Sequence, residues 1–235
     1  MTDVVGAADM QQGANTSFIA DRFGNPDSAL ALNGGWTFVP AGVYFNTQEF
    51  TISVWVYPQM VGSLARVFDF GNPGAEDILL ALDSGNDLKP YFAIFLGGIN
   101  RQTASSQPLV LNEWQFLVAT FKEGSSLLLY INGVLITSAS ATYGYSSKLR
   151  TTNNFIGKSN WNANGYSSSY LDDLRFYNVS LTQAQINGLM TSNNTHCNVT
   201  STTTTSTTTS MNIPISTTKA SPLLTFTTYS KKRIN

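Results

Sequence analysis

WQFLVATF (residues 114–121), KEGSS (122–126) and LLLYINGVLITS (127–138) are consecutive, and their reading decides the fold. The apolar runs are short and rich in aromatic and β-branched residues, which marks strands rather than helices. Lys122 to Ser126 contains a glycine and reads as a turn. Asn132-Gly133 separates Leu127–Ile131 from Val134–Ser138. A type I′ turn needs positive φ at both central residues, and Asn-Gly tolerates that best. The stretch predicts an antiparallel meander inside an all-β domain.

Composition narrows the class. The chain has 235 residues, enough for one sandwich with a sizeable core and a tail. Charged residues are 11% of it, against roughly 25% in an ordinary soluble domain. The net charge is −1. Solubility therefore rests on Asn, Ser, Thr, Gln and Gly, a style that suits a secreted or cell-surface protein. The one basic run is Lys231-Lys232-Arg233, so nucleic acid is not an expected partner. No run approaches the roughly 20 apolar residues of a membrane helix. The opening MTDVVGAADMQQ lacks the basic and apolar regions of a signal peptide. A place in a longer extracellular chain is the expectation, with an intracellular protein as the alternative. Cys197 is the only cysteine, beside the only histidine, His196, so no intrachain disulfide or cysteine metal cluster can form.

Taken in order, residues 1–16 read as a polar N-terminal arm and 17–192 as the domain. Phe18 to Asp27 reads as a short strand entering a turn. Ala29–Asn33 is a strand broken by Gly34-Gly35, with Trp36–Val39 following up to Pro40. FTISVWVY, Phe50 to Tyr57, alternates cleanly: Phe50, Ile52, Val54 and Val56 face the core, and Thr51, Ser53, Trp55 and Tyr57 face the other way. Ala65–Phe70, Ile78–Leu82, Tyr91–Leu96, Asn154–Lys158 and Tyr170–Tyr177 are further strands between turn-rich segments. Many short strands without alternating helices predict an antiparallel two-sheet jelly-roll sandwich.

One short C-terminal helix is expected over Gln183 to about Met190. Thr182 and Gln185 form a capping box, Leu181 and Ile186 a hydrophobic staple, and Gly188 limits its length. Beyond it, residues 193–235 read as a disordered Thr/Ser-rich stalk or tail, too polar to offset chain entropy. Leu223–Phe226 is too short to change that reading.

The ordered run ADRFGNPDSALALNGG, FTISVWVYP, NEWQFLVATF, LLLYINGVLITS, NFIGKSNW and YLDDLRFYNVSLTQAQI resembles the laminin-G-like, concanavalin A-like jelly-roll family over about Phe18 to Leu189. The resemblance implies two antiparallel sheets with sequence-distant strands paired. It also implies a carbohydrate- or protein-binding module of an extracellular protein, although some members hydrolyse glycosides. Several relatives hold a structural calcium between the N-terminal turn and the last strand, which by position would recruit Asp21, Asn25 and Asp173. The alternative is that Asp21 and Asp27 stabilise a turn while Asp173 pairs with Arg22 or Arg175.

A retaining hydrolase needs two carboxyl groups roughly 5–5.5 Å apart, and on one strand that gives acid-x-acid. No strand shows it. Asp172-Asp173 are adjacent and are expected on opposite faces, while Glu76-Asp77 and Glu113 are expected in or beside turns. The chain therefore reads as a non-enzyme whose partner is a glycan or an extracellular protein; a divergent hydrolase and a purely structural domain are the alternatives. Flat rings beside amides suit sugars. Trp161 with Asn160, Asn162, Asn164 and Tyr166 forms one such loop, Tyr143 and Tyr145 a second. Trp161 could equally fold back as a lid, and Trp36, Trp55 and Trp114 are expected in the core. Asn15, Asn178, Asn193 and Asn198 begin N-x-Ser/Thr sequons, which matter in a secreted chain.

Overall fold

The computed structural model describes residues 2–3, 9–45, 48–60, 62, 64–72, 76–96, 99–141, 149–161, 164–191 and 224–227. Its strands are β1 (Thr2–Asp3), β2 (Gln11–Ile19), β3 (Ala29–Val39), β4 (Gly42–Phe45), β5 (Glu49–Pro58), β6 (Arg66–Asn72), β7 (Glu76–Ala81) and β8 (Tyr91–Leu96). They continue as β9 (Ile99–Ala104), β10 (Gln115–Lys122), β11 (Ser125–Ile131), β12 (Val134–Ala141), β13 (Leu149–Thr151), β14 (Asn153–Ile156), β15 (Ser167–Tyr177) and β16 (Leu224–Thr227). Helix α1 (Gln183–Thr191) follows β15.

An antiparallel path runs β12-β11-β10-β5-β15-β3-β14-β6-β7-β8-β9. It rolls over on itself, so that Thr103 on β9 and Thr137 on β12 meet through their hydroxyls at 3.0 Å. The interior is one apolar cluster that includes Phe50, Ile52, Val54, Val56, Phe68, Phe70, Leu117, Phe121 and Phe176. Alternation on β5 is as the sequence predicts. β10 is apolar on both faces because both are covered: Leu117, Ala119 and Phe121 line the interior. Phe116 and Val118 pack outward with Tyr177, Leu181 and Ile186 beneath α1.

The hairpin forms as read, with φ of 49° at Asn132 and 76° at Gly133, and Ile131 opposite Val134. So does the capping box: Thr182 N–H donates to Gln185 Oε1 at 2.9 Å, and Gln185 N–H donates to Thr182 Oγ1 at 3.4 Å.

Four expectations are corrected. Residues 11–16, expected in the polar arm outside the domain, belong to β2, which pairs with β3 along its length. β3 runs unbroken through Gly34-Gly35, and a Cβ on Gly35 would lie 2.1 Å from the carbonyl oxygen of Asn15. The glycine there admits the bulged neighbour strand rather than ending its own. Leu224–Thr227, expected in the disordered tail, forms β16 and pairs with β15 and β1. The rest of that tail, with His196 and Cys197, lies outside the described residues. Finally, Trp36, Trp55 and Trp114 are half-buried on outer surfaces and none joins the main core. Trp55 lies under α1, and Trp114 meets Tyr57 edge-on at 5.6 Å.

Candidate functional site

The outer face of β6, β7 and β8 carries a polar cluster capped by the loop that follows β14. Strand alternation creates it. Phe68, Phe70, Ile78 and Leu80 point inward, which turns Asp69, Gly71, Asp77 and Leu79 outward.

Asp69 is completely buried and organises the loop. Its Oδ2 accepts from Arg66 Nε at 3.1 Å, Ser159 Oγ at 3.2 Å and the Asn160 N–H at 3.2 Å. Its Oδ1 accepts from Asn160 Nδ2 at 2.8 Å. Ser159 Oγ then accepts from the Trp161 N–H at 3.1 Å and from Asn164 Nδ2 at 2.9 Å. These bonds fix the backbone under Trp161. The indole packs 5.3 Å from the Phe95 ring on β8, and the Arg66 guanidinium lies 5.9 Å from the indole and 5.5 Å from Tyr91. Trp161 is nevertheless 41% exposed and Tyr166 49%. The ring is both anchored and presented.

Asp77 sits beside Asp69, across from Gly71 in the β6–β7 register. A Cβ on Gly71 would come within 2.4 Å of Asp77 Oδ1, so glycine is what leaves room for the carboxyl group. Burial, a hydrogen bond to Asp69 and repulsion from it push Asp77 up to about 9, against the pull of Arg66. Asp77 thus keeps its proton at neutral pH. The expectation of acid-x-acid on one strand, with Asp77 in or beside a turn, does not reach this pair: Asp77 lies in β7, and the two acids stand on adjacent strands. Asp69 and Asp77 are both buried, and the oxygens of Asp69 are taken up by Arg66, Ser159 and Asn160. The usable signal was FDFG, a lone acid between two core phenylalanines.

Asp172 and Asp173 also depart from expectation. A register shift at this point of β15, with φ of 49° at Asp173, rotates both carboxylates toward Arg22. Arg22 Nη1 donates to Asp172, and Nη2 donates to Asp173 at 2.8 Å; Arg175 Nη2 donates to Asp173 at 3.0 Å. The simple alternation rule fails at a bulge. Burial and the neighbouring Asp173 push Asp172 up to about 7 despite Arg22.

Of the residues considered for calcium, Asp21 and Asn25 lie together in a turn. Asp21 Oδ1 accepts from the N–H groups of Phe23 and Asn25 at 2.8 and 2.9 Å, and Oδ2 accepts from Asn25 Nδ2 at 2.8 Å. Asp173 is engaged by its two arginines instead. Among the described residues, no three His, Cys, Asp or Glu side chains converge as a metal site. The structure brings Asn160, Trp161 and Asn164 together. Asn162, Tyr143, Tyr145, Asn193 and Asn198 lie outside the described residues, and Asn15 and Asn178 are exposed.

A profile for the concanavalin A-like lectin/glucanases superfamily, of the third laminin G type, matches residues 32–187. The chain belongs to this family. Compared with curated proteins, it matches none. Among solved structures, it is similar to domain 4 of AbnA, an extracellular arabinanase of Geobacillus stearothermophilus, in complex with arabinotriose. That likeness has 18% identity and a TM-score of 0.63, and covers 79% of this chain and 89% of that one. It is also similar to the binding domain of Paraclostridial Mosquitocidal Protein 1, at 18% identity and TM-score 0.60 over 78% of this chain and 47% of that one. The binding domain of Botulinum neurotoxin DC, in complex with rat synaptotagmin II, matches at 16% identity and TM-score 0.60 over 78% and 46%. The chain thus spans about half the length of the two toxin domains. Its fold is a concanavalin A-like one whose structural neighbours are carbohydrate- or receptor-binding domains. Among the described residues no helix is long and apolar enough to cross a membrane.

Proposed function

We propose that this domain is a non-catalytic recognition module that binds carbohydrate through Trp161, within an extracellular chain. One observation carries the reading: a 41% exposed indole whose loop is fixed by a fully buried aspartate. A pre-positioned ring loses little freedom when a sugar stacks on it, and that supports affinity. The hydrolase alternative is disfavoured by the same cluster. Asp69 gives its oxygens to Arg66, Ser159 and Asn160, and both it and Asp77 are buried, so neither carboxyl group is open to a substrate bond as a retaining mechanism requires. The neighbours' arabinotriose and synaptotagmin complexes are compatible with a binding role for the fold. A glycan array probed with wild type and Trp161→Ala tests the proposal. Wild type is expected to retain a defined set of glycans, and the variant is expected to lose about tenfold or more in affinity for them, a typical stacking contribution. A wild type that retains none would move the domain to a structural or protein-binding role.

A further inference from the structure

Beside the Trp161 loop the outer face carries Lys158, a cation that no carboxylate among the described residues engages in an ion pair. Lys158 Nζ lies 4.5 Å from the Phe155 ring centroid and 4.8 Å from that of Trp36. Trp36 meets Phe155 edge-on at 5.6 Å and stacks on Phe38 at 5.9 Å. These four side chains are half-buried and belong to none of the buried apolar clusters. Among the described residues, ion pairs engage Arg22, Arg66, Lys89, Lys122 and Arg175 but not Lys158.

The acids of this face leave that charge standing. Asp69 is committed to Arg66, and Asp77, held protonated by burial and by Asp69, contributes no charge at neutral pH. The platform and the loop are also one surface. Phe155 on β14 stands opposite Asp69 on β6, the residue that binds Asn160 and so sets Trp161. A lysine ammonium held over two aromatic faces is positioned by them, yet its ordinary partner is an anionic oxygen. Charge-assisted hydrogen bonds to such an oxygen are about twice as strong as neutral ones.

We propose that the ligand of this face is an anionic glycan, with carboxylate or sulfate oxygens on Lys158 and sugar rings against Trp36, Phe155 and Trp161. This deepens the carbohydrate reading and rests on it. Lys158 is then the residue that selects acidic over neutral sugars.

The test uses the whole chain and three immobilised oligosaccharides of equal length: a neutral one, its uronic-acid counterpart and its sulfated counterpart. At low salt at least one acidic probe is expected to bind about tenfold tighter than the neutral one. Lys158→Gln is expected to erase that difference, Lys158→Arg to keep it, and added sodium chloride to shrink it for wild type. Trp161→Ala is expected to weaken all three probes. Whichever acidic probe is preferred identifies the anionic group. Equal binding of all three by wild type overturns the anion assignment and leaves the carbohydrate reading intact. A preference that survives Lys158→Gln overturns the role of Lys158. If wild type binds none of the probes, both readings fall. Should Lys158→Gln lower the melting midpoint, the salt titration of wild type and the arginine variant decide the question without it.

Discussion

At the scale of single residues, the buried carboxyl pair carries a pH signature. An unfolded chain ionises Asp77 near its ordinary value of 3.8, whereas the folded protein holds the proton to about 9. The folded state therefore binds the extra proton between those limits. Its contribution to stability is complete at acid pH and is lost as pH rises through that window. Asp77→Asn keeps a donor toward Asp69 and removes the titration. Urea unfolding should show the variant gaining on wild type as pH rises, with a ceiling of about 1.4 kcal/mol per pH unit before water relaxes the site. Asp172 has the same sign, its value of about 7 being raised by burial and by Asp173, but it is common to both proteins and cancels in the difference. Parallel stability curves for the two proteins would mean that Asp77 ionises normally. FDFG marks Asp69 as an acid among core residues, but its pairing with Asp77 is not legible in the sequence. Asp69 and Asp77 are eight positions apart, and only the β6–β7 register puts them in contact.

At the scale of elements, what the sequence disclosed was whatever is closed by near neighbours. Asn132-Gly133 sets its own φ angles, and Thr182 reaches Gln185 within one turn. Both could be read without knowing the fold. The bulge at Asp172–Asp173 and the passage of β3 through Gly34-Gly35 could not, because each is imposed by a partner strand distant in sequence. The helix gives two opposite predictions. Thr182→Ala removes the oxygen that receives the Gln185 N–H and should cost about 0.5–2 kcal/mol. Gly188 lies within α1, and a Cβ there would meet nothing within 4 Å. Gly188→Ala should therefore stabilise by about 0.5–1 kcal/mol through the unfolded chain's lost freedom. Chemical denaturation reads both. A Gly188→Ala protein no more stable than wild type would show that α1 frays before position 188.

At the scale of the whole molecule, the rolled sheet separates scaffold from site. Its interior is filled by apolar side chains, so buried polar groups collect on the outer surfaces: the Arg22 ion pairs beside Trp55, and the β6–β8 face, where Asp69 is buried beneath the loop that closes over it. The same rolling leaves β15 central along part of its length. From Ser169 to Leu171 it lies between β5 and β3, but from Leu174 to Phe176 its second neighbour is β16. The strand Leu224–Thr227 therefore satisfies backbone groups that would otherwise form an open edge beneath the Arg22 ion pairs. An unpaired edge leaves amide hydrogens exchangeable and offers a template for a second chain. Removing residues 192–235 should accelerate hydrogen exchange in the peptide spanning Leu174–Phe176, while peptides from β10 and β5 keep their protection, each of those strands still lying between two others. The truncated chain should also self-associate more readily at high concentration, as light scattering would register. Unchanged exchange at Leu174–Phe176 would show that β16 does not shield that edge in solution.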